Sequence, residues 1–214
     1  MMAASSRRVG AETSKTRDAL LGCVEKLMLE EGYASVSYRS LATSAGVTPS
    51  LVQYYFPSLD DIFVAAIRRY AERNLAVLEK ALATRTEDPL RALWEYSGDE
   101  ATSALMTEFM ALGNHRKSIR AEIAEVTERV RAVQLKALTA KFGAKTPPDG
   151  QLSLPAMLLM LTGFPKFLNL EESVGVTTAH KEVVRAFEAY LDRVEPPVTP
   201  RRRKPSRRAS AKKT

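Results

Sequence analysis

An all-α protein is predicted by three features of this 214-residue sequence. Apolar residues recur at helical spacing from Leu20 to Leu191, no alternating strand pattern interrupts them, and cap and stop signals divide the run into about nine helices. The expected architecture is an N-terminal three-helix unit built around a helix-turn-helix, followed by a C-terminal helical bundle. The parts expected are a flexible arm over 1–13, the helix-turn-helix domain over 14–57, the bundle over 58–196 and a disordered basic tail over 197–214.

Thr13 or Ser14 can start the first helix, whose inward positions Leu20, Cys23, Val24 and Leu27 keep the i, i+3, i+4, i+7 spacing as far as Gly32. Ser37 can cap a second, short helix with Leu41 and Ala42 facing inward, and Gly46 supplies the positive-φ residue that ends it. Thr48 at the cap and Pro49 at the first helical position, where a missing N–H costs nothing, open a third helix of about two turns ending at Phe56-Pro57. Two short helices around a tight turn, followed by an aromatic run, form the pattern of a DNA-reading helix-turn-helix. Ser58 caps a long fourth helix with Ile62, Phe63, Ala66, Ile67, Tyr70, Leu75, Leu78 and Leu82 on its apolar side, and residues 84–88 break it. Helices follow over 89–96, 99–112 and 116–142, then a loop, GAKTPPDG, over 143–150, and two closing helices over 152–170 and 178–194. The 152–170 stretch is apolar enough to raise the question of a membrane span. Pro155, Pro165 and Lys166 interrupt it and an amphipathic helix follows, so it is read as a buried or dimer-forming helix. Pro165 is expected to kink it, and Gly163 to admit another backbone.

Composition narrows the function classes. Hydrophobic residues at 45% place the chain among ordinary globular proteins. The net charge of +7 is smaller than the contribution of residues 201–214, which hold eight basic side chains and no acid, so the first 200 residues sum to −1. That tail can attract DNA phosphate without sequence preference, or it can be a solvated end with no dedicated role. The single cysteine, Cys23, excludes an intramolecular disulfide and a thiolate zinc site; it lies on the inward stripe of the first helix and is read as buried packing. With that cysteine usage and no apolar run at the N-terminus, a cytoplasmic location is expected. His115 and His180 are the only histidines, and no HExxH, GxSxG or glycine-rich phosphate loop is present. No catalytic activity, cofactor or metal is therefore expected.

The stretch from Gly32 to Phe63 resembles the TetR family of bacterial one-component transcriptional regulators. The resemblance rests on Gly32-Tyr33, on Ser37 with Arg39 and Leu41-Ala42, on Ala45-Gly46-Val47-Thr48, and on Tyr54-Tyr55-Phe56-Pro57-Ser58 leading into Asp60-Asp61-Ile62-Phe63. It covers about residues 14–65; beyond them only length and the helical pattern agree. Pro49 and Ser50 stand where many members have lysine and glycine, Gln53 replaces a frequent tyrosine, and Leu59 replaces a lysine that usually meets phosphate.

The resemblance implies a homodimer on a palindromic operator, with recognition helices about 34–36 Å apart. Tyr54 and Tyr55 are the strongest candidates to touch DNA, a tyrosine hydroxyl bonding phosphate while its ring meets sugar or a thymine methyl. One of the two can instead be core, Tyr55 being placed nearer the backbone, and Phe56 is read as core. Arg39 can form a bidentate bond to guanine or clamp a phosphate; Ser37, Tyr38, Thr48, Ser50 and Gln53 fill the remaining surface, with Gln53 able to pair with adenine. In the bundle the family carries a ligand pocket, for which Trp94, Leu105, Met106, Phe109, Met110, His115, Ile119, Ile123, Val126, Met157 and Met160 are candidates. Such a methionine and aromatic stripe suits a small lipophilic effector, or it is simple core. The last two helices pair between subunits in the family, and Leu161, Phe164, Leu168, Val184, Phe187 and Leu191 are the candidate dimer face; intramolecular core is the other reading of each.

Overall fold

The computed structural model describes the backbone of residues 3–143 and 152–196, with side chains described there except in 3–14 and 100–102. Its elements are α1 (Ala3–Glu31), a 3₁₀ turn (Tyr33–Ser35), α2 (Tyr38–Ala45), α3 (Pro49–Tyr55), α4 (Leu59–Thr84), α5 (Pro89–Ser97), α6 (Glu100–His115), α7 (Lys117–Phe142), α8 (Leu154–Ser173) and α9 (His180–Val194). The all-α reading therefore holds across the described residues. The basic tail expected over 197–214 lies outside them, as does most of the 143–150 loop.

Local chemistry explains the boundaries. The Ser37 hydroxyl accepts from the Ser40 amide at 3.1 Å while the Ser40 hydroxyl accepts from the Ser37 amide at 2.9 Å, satisfying two N-terminal donors of α2. Gly46 ends α2 in the left-handed region at φ 67°, a conformation a side chain resists. Ser58 and Asp61 form a second reciprocal cap that starts α4. One start was misplaced: α1 begins at Ala3, not at Thr13 or Ser14, so the expected flexible arm over 1–13 is corrected to helix from Ala3 onward. The segment AASSRRVGAET contains helix-compatible residues and no proline, and nothing in it forces a stop.

Two buried clusters organise the chain. The first joins α1, α2 and α3 to the N-terminal half of α4, from Ile62 to Ala71, and to Leu105, Phe109 and Leu112 of α6 and Ile119, Ile123 and Val126 of α7. The second joins Leu78 and Leu82 at the far end of α4 to α5, Leu138 of α7, α8 and Leu191 of α9. The core thus does not divide at residue 58, where the sequence placed the domain boundary: the head shares its interior with half of three bundle helices. The α6–α7 corner is tight at Gly113, where a Cβ would stand 2.8 Å from the Ile123 Cδ1, at the movable end of that side chain.

α8 continues through Pro165, which is buried. Gly163 does not meet another backbone, since no heavy atom lies within 4 Å of where its Cβ would be. Within one chain the α8 face carrying Gly163 borders a cavity. Among the described residues no helix is long and apolar enough to cross a membrane.

Candidate nucleic-acid interface and interior cavity

The reading head is set by capping and by one aromatic anchor. Thr48 caps α3, accepting from the Leu51 amide at 3.4 Å, and its hydroxyl lies 3.1 Å from that of Ser50. Val52 and Phe56 are buried, fixing which side of this two-turn helix meets the core. The opposite side leaves Thr48, Ser50, Gln53 and Tyr54 exposed, and Arg39 of α2 is exposed as well. Tyr54 is 75% exposed, whereas the half-buried Tyr55 packs against the core and meets the Tyr54 ring edge-on at 5.4 Å.

Ser37 and Tyr38 are tied into the fold. The Ser37 hydroxyl is occupied by the α2 cap, and the Tyr38 hydroxyl donates to the Phe56 carbonyl at 3.0 Å, pinning the end of α3 to α2. Burial, followed by the charge of Asp61, raises the Tyr38 pKa, so its phenol stays a donor. The Arg17 guanidinium lies 5.1 Å from the centre of the Phe56 ring and holds α1 against the same corner.

The head is fastened to the bundle by polar contacts. Asp60 at the start of α4 accepts from the Arg116 guanidinium and, at 2.6 Å, from the Ser118 hydroxyl. These bonds, Ser118 first, hold its carboxyl below the usual range. Glu108 of α6 accepts from the Tyr33 amide at 2.8 Å. The buried Glu122 of α7 takes both arms of Arg68, at 2.9 and 2.7 Å.

A cavity of about 410 Å³ lies between α4, α5, α6, α7 and α8. Its inner wall is polar: Tyr70 and Asn74 from α4, Tyr96 and Ser97 from α5, Thr127 and Gln134 from α7. The Asn74 Nδ2, the Ser97 Oγ and the Thr127 Oγ1 are out of contact with water and have no hydrogen-bond partner among the described residues. The Tyr96 hydroxyl donates to the Asn74 carbonyl at 3.2 Å, and burial pushes its pKa up to about 12. Met106, Met110, Val126, Val130, Leu159 and Phe167 supply apolar wall, and Arg131 and Lys166 supply positive charge.

Of the residues implied for a ligand pocket, Met106, Met110 and Val126 border this cavity. Leu105, Phe109, Ile119 and Ile123 are placed instead in the core beneath the head. Trp94 stacks on Phe187 at 4.8 Å, and His115 is exposed at the end of α6, its ring 6.4 Å from that of Tyr33. Met157 is buried in the second cluster and Met160 is 41% exposed; both border a separate recess beside Leu161, Phe187 and Tyr190. Of the candidate dimer face, Leu161, Leu168 and Leu191 are buried within one chain, the intramolecular alternative for those three. Phe164, Val184 and Phe187 stay half-buried, the two phenylalanine rings 5.1 Å apart. The missed residues, Asn74, Ser97, Thr127, Gln134 and Lys166, carried one signal, polar side chains breaking otherwise inward-facing stripes.

Two short capped helices joined through a left-handed glycine, with the polar side of the second left open, define a DNA-binding helix-turn-helix protein. The model for bacterial regulatory proteins of the tetR family matches residues 25–66. Over that reading head the chain is similar to the transcriptional regulators of that family. It is similar to the HTH-type transcriptional repressor BepR of Brucella suis biovar 1 (strain 1330), at 26% identity over 145 residues, covering 64% of this chain and 68% of BepR. Its fold is similar to that of the multidrug binding protein EbrR complexed with imidazole, with TM-score 0.56 and 25% identity over 82% of this chain and 93% of that one. A protein from Saccharomonospora viridis in complex with choline gives TM-score 0.67 at 17% identity, covering 84% of this chain and 96% of its own.

Proposed function

We propose that this protein is a transcriptional regulator of the tetR kind, a ligand-responsive repressor that acts as a homodimer on a palindromic operator. The observation that carries the reading is the pairing of an open recognition face with a closed fold behind it. Arg39, Thr48, Ser50, Gln53 and Tyr54 are exposed, while Val52 of α3 and the Phe56 that follows it are buried in the core. One two-turn helix reads too few base pairs for useful selectivity, which supports two copies related by a twofold axis. Phe164, Val184 and Phe187, with the exposed Met160, offer apolar surface on α8 and α9 for that pairing. A ligand role is supported by the cavity, whose size falls within the range of small-molecule sites, and by relatives that bind drugs, imidazole or choline. Repression is supported by the likeness to BepR.

Fluorescence anisotropy with the DNA upstream of the protein's own gene, against scrambled DNA of equal length across a salt series, tests the proposal. A preference of about a thousandfold at near-physiological salt is expected. Equal binding to both DNAs, together with no palindrome among genomic fragments selected by the protein, would replace it with a non-specific architectural role.

A further inference from the structure

We infer that the effector is an organic anion, an apolar skeleton bearing one acidic head, with the head at Lys166 and Arg131 and a second polar group at the inner wall. The inference rests on the ligand-responsive reading above and adds the chemical class of the ligand.

Charge comes first. Among the described residues the cavity wall includes two cationic side chains and no carboxylate. Among the described residues, Lys166 has no acidic side chain within ion-pair distance, and Arg131 has only Glu128, 3.4 Å away and 74% exposed one turn earlier on the same helix. An exposed pair of that kind neutralises little. Although part of the Lys166 side chain meets solvent, the protein around it lowers its pKa, burial first and the charge of Arg131 second. Two cations that crowd one another beside an apolar wall form a place where an anion is attracted and a cation repelled.

Shape and polarity add the rest of the description. Met106, Met110, Leu159 and Phe167 offer an adaptable apolar surface, which suits a skeleton with few polar atoms. On the inner wall Asn74, Ser97 and Thr127 each hold a buried polar atom without a partner among the described residues. Buried polar groups are nearly always hydrogen-bonded, so three together beside a cavity mark where a ligand hydroxyl or carbonyl, or water carried with it, completes the bonding.

The test is displacement of the neutral fluorophore N-phenyl-1-naphthylamine from the full-length protein by three ligands of one chain length: decanoate, decanol and decyltrimethylammonium, each below its micellar concentration. Decanoate should compete about tenfold more strongly than the other two, the contribution of one charge-assisted contact. Lys166→Met should bring decanoate to within about threefold of decanol while leaving decanol itself within about threefold of its original value, and Lys166→Arg should keep the preference. The inference is overturned if the ammonium competes as well as decanoate, or if the preference survives in Lys166→Met combined with Arg131→Met. If the fluorophore binds but no ligand is discriminated, only the charge class falls. If neither fluorophore nor ligand binds, the effector reading falls with it.

Discussion

The Arg68–Glu122 pair between α4 and α7 should be strongly asymmetric to mutation. Glu122 has only 9% of its side chain exposed, while Arg68 has 60% exposed. Arg68→Ala therefore strands a buried carboxylate, whereas Glu122→Met leaves an arginine that water can solvate. Breaking a fully buried ion pair from one side costs about 3–5 kcal/mol because it strands a charge out of water, a cost that does not arise where the charge left behind is solvated. Because Arg68 reaches solvent, water replaces part of its role, and the expected cost is about 2 kcal/mol for Arg68→Ala and under about 1 kcal/mol for Glu122→Met. For a chain of this size that corresponds to a lowering of Tm by about 4–8 °C against no more than about 4 °C. Thermal unfolding followed by circular dichroism, at one fixed protein concentration because self-association raises Tm, measures both. Equal losses, or a larger loss for Glu122→Met, would refute the asymmetry and with it the view that the carboxylate is the member held out of water.

Three further outcomes follow from the same geometry. Tyr54→Phe removes the proposed phosphate contact from each of two heads, about 1 kcal/mol apiece, so operator binding should weaken about thirtyfold in anisotropy with Tm unchanged; Tyr38→Phe, which loses its bond to Phe56, should instead lower Tm. Ala179 holds φ at 65° ahead of α9, and Ala179→Gly should stabilise the chain by about 1 kcal/mol in chemical denaturation; a loss would show that its side chain does more than bear the strain. The Asp60 carboxyl titrates below the usual range when folded, so its contribution is present above the unfolded pKa and is lost as pH falls through the depressed folded value. Asp60→Asn should accordingly flatten the acid limb of a plot of Tm against pH, and an unchanged limb would assign that limb to other carboxylates.

The caps of α2, α3 and α4 were legible because Ser37, Thr48 and Ser58 each bond an amide three residues ahead, and sequence spacing records such bonds directly. The start of α1 was not, since Ala3 to Glu12 contains neither a strong cap signal nor a breaker. The interior was legible only as inward against outward. A helical period identifies the buried side of α6, but α6 borders both the head core and the cavity, so it has two inward faces. Leu105, Phe109 and Leu112 fill the core, while Met106 and Met110 meet the cavity on the neighbouring face, and their spacing alone does not separate them. Leu161, Leu168 and Leu191 show the same limit: an apolar position on α8 or α9 has the same signature whether one chain or two bury it. The cavity's polar wall draws on helices far apart in sequence, from Asn74 to Thr127, and no local pattern joins them.

The position of that cavity indicates how the proposed effector would act on the head. On α4, the residues up to Ala71 belong to the cluster shared with the head, and those from Leu78 onward belong to the far cluster. Tyr70, Ala71 and Asn74, which border the cavity, lie at the changeover. On α7 the same holds: Val126 ends the first cluster, Leu138 lies in the second, and Thr127, Val130 and Gln134 border the cavity between them. A ligand in this cavity would therefore sit at the waist between two packed bodies and not inside either. Packed cores resist continuous deformation, so altered spacing at the waist is taken up as a shift of one body against the other. The Asp60–Arg116 and Arg68–Glu122 contacts make α4, the α6–α7 corner and the head move together. In a dimer whose far bodies are joined, such a shift changes the separation of the two recognition helices. In the proposed repressor, operator affinity would then fall by the same factor by which operator DNA weakens the ligand, and a ligand that binds both arrangements equally well would change nothing however tightly it bound.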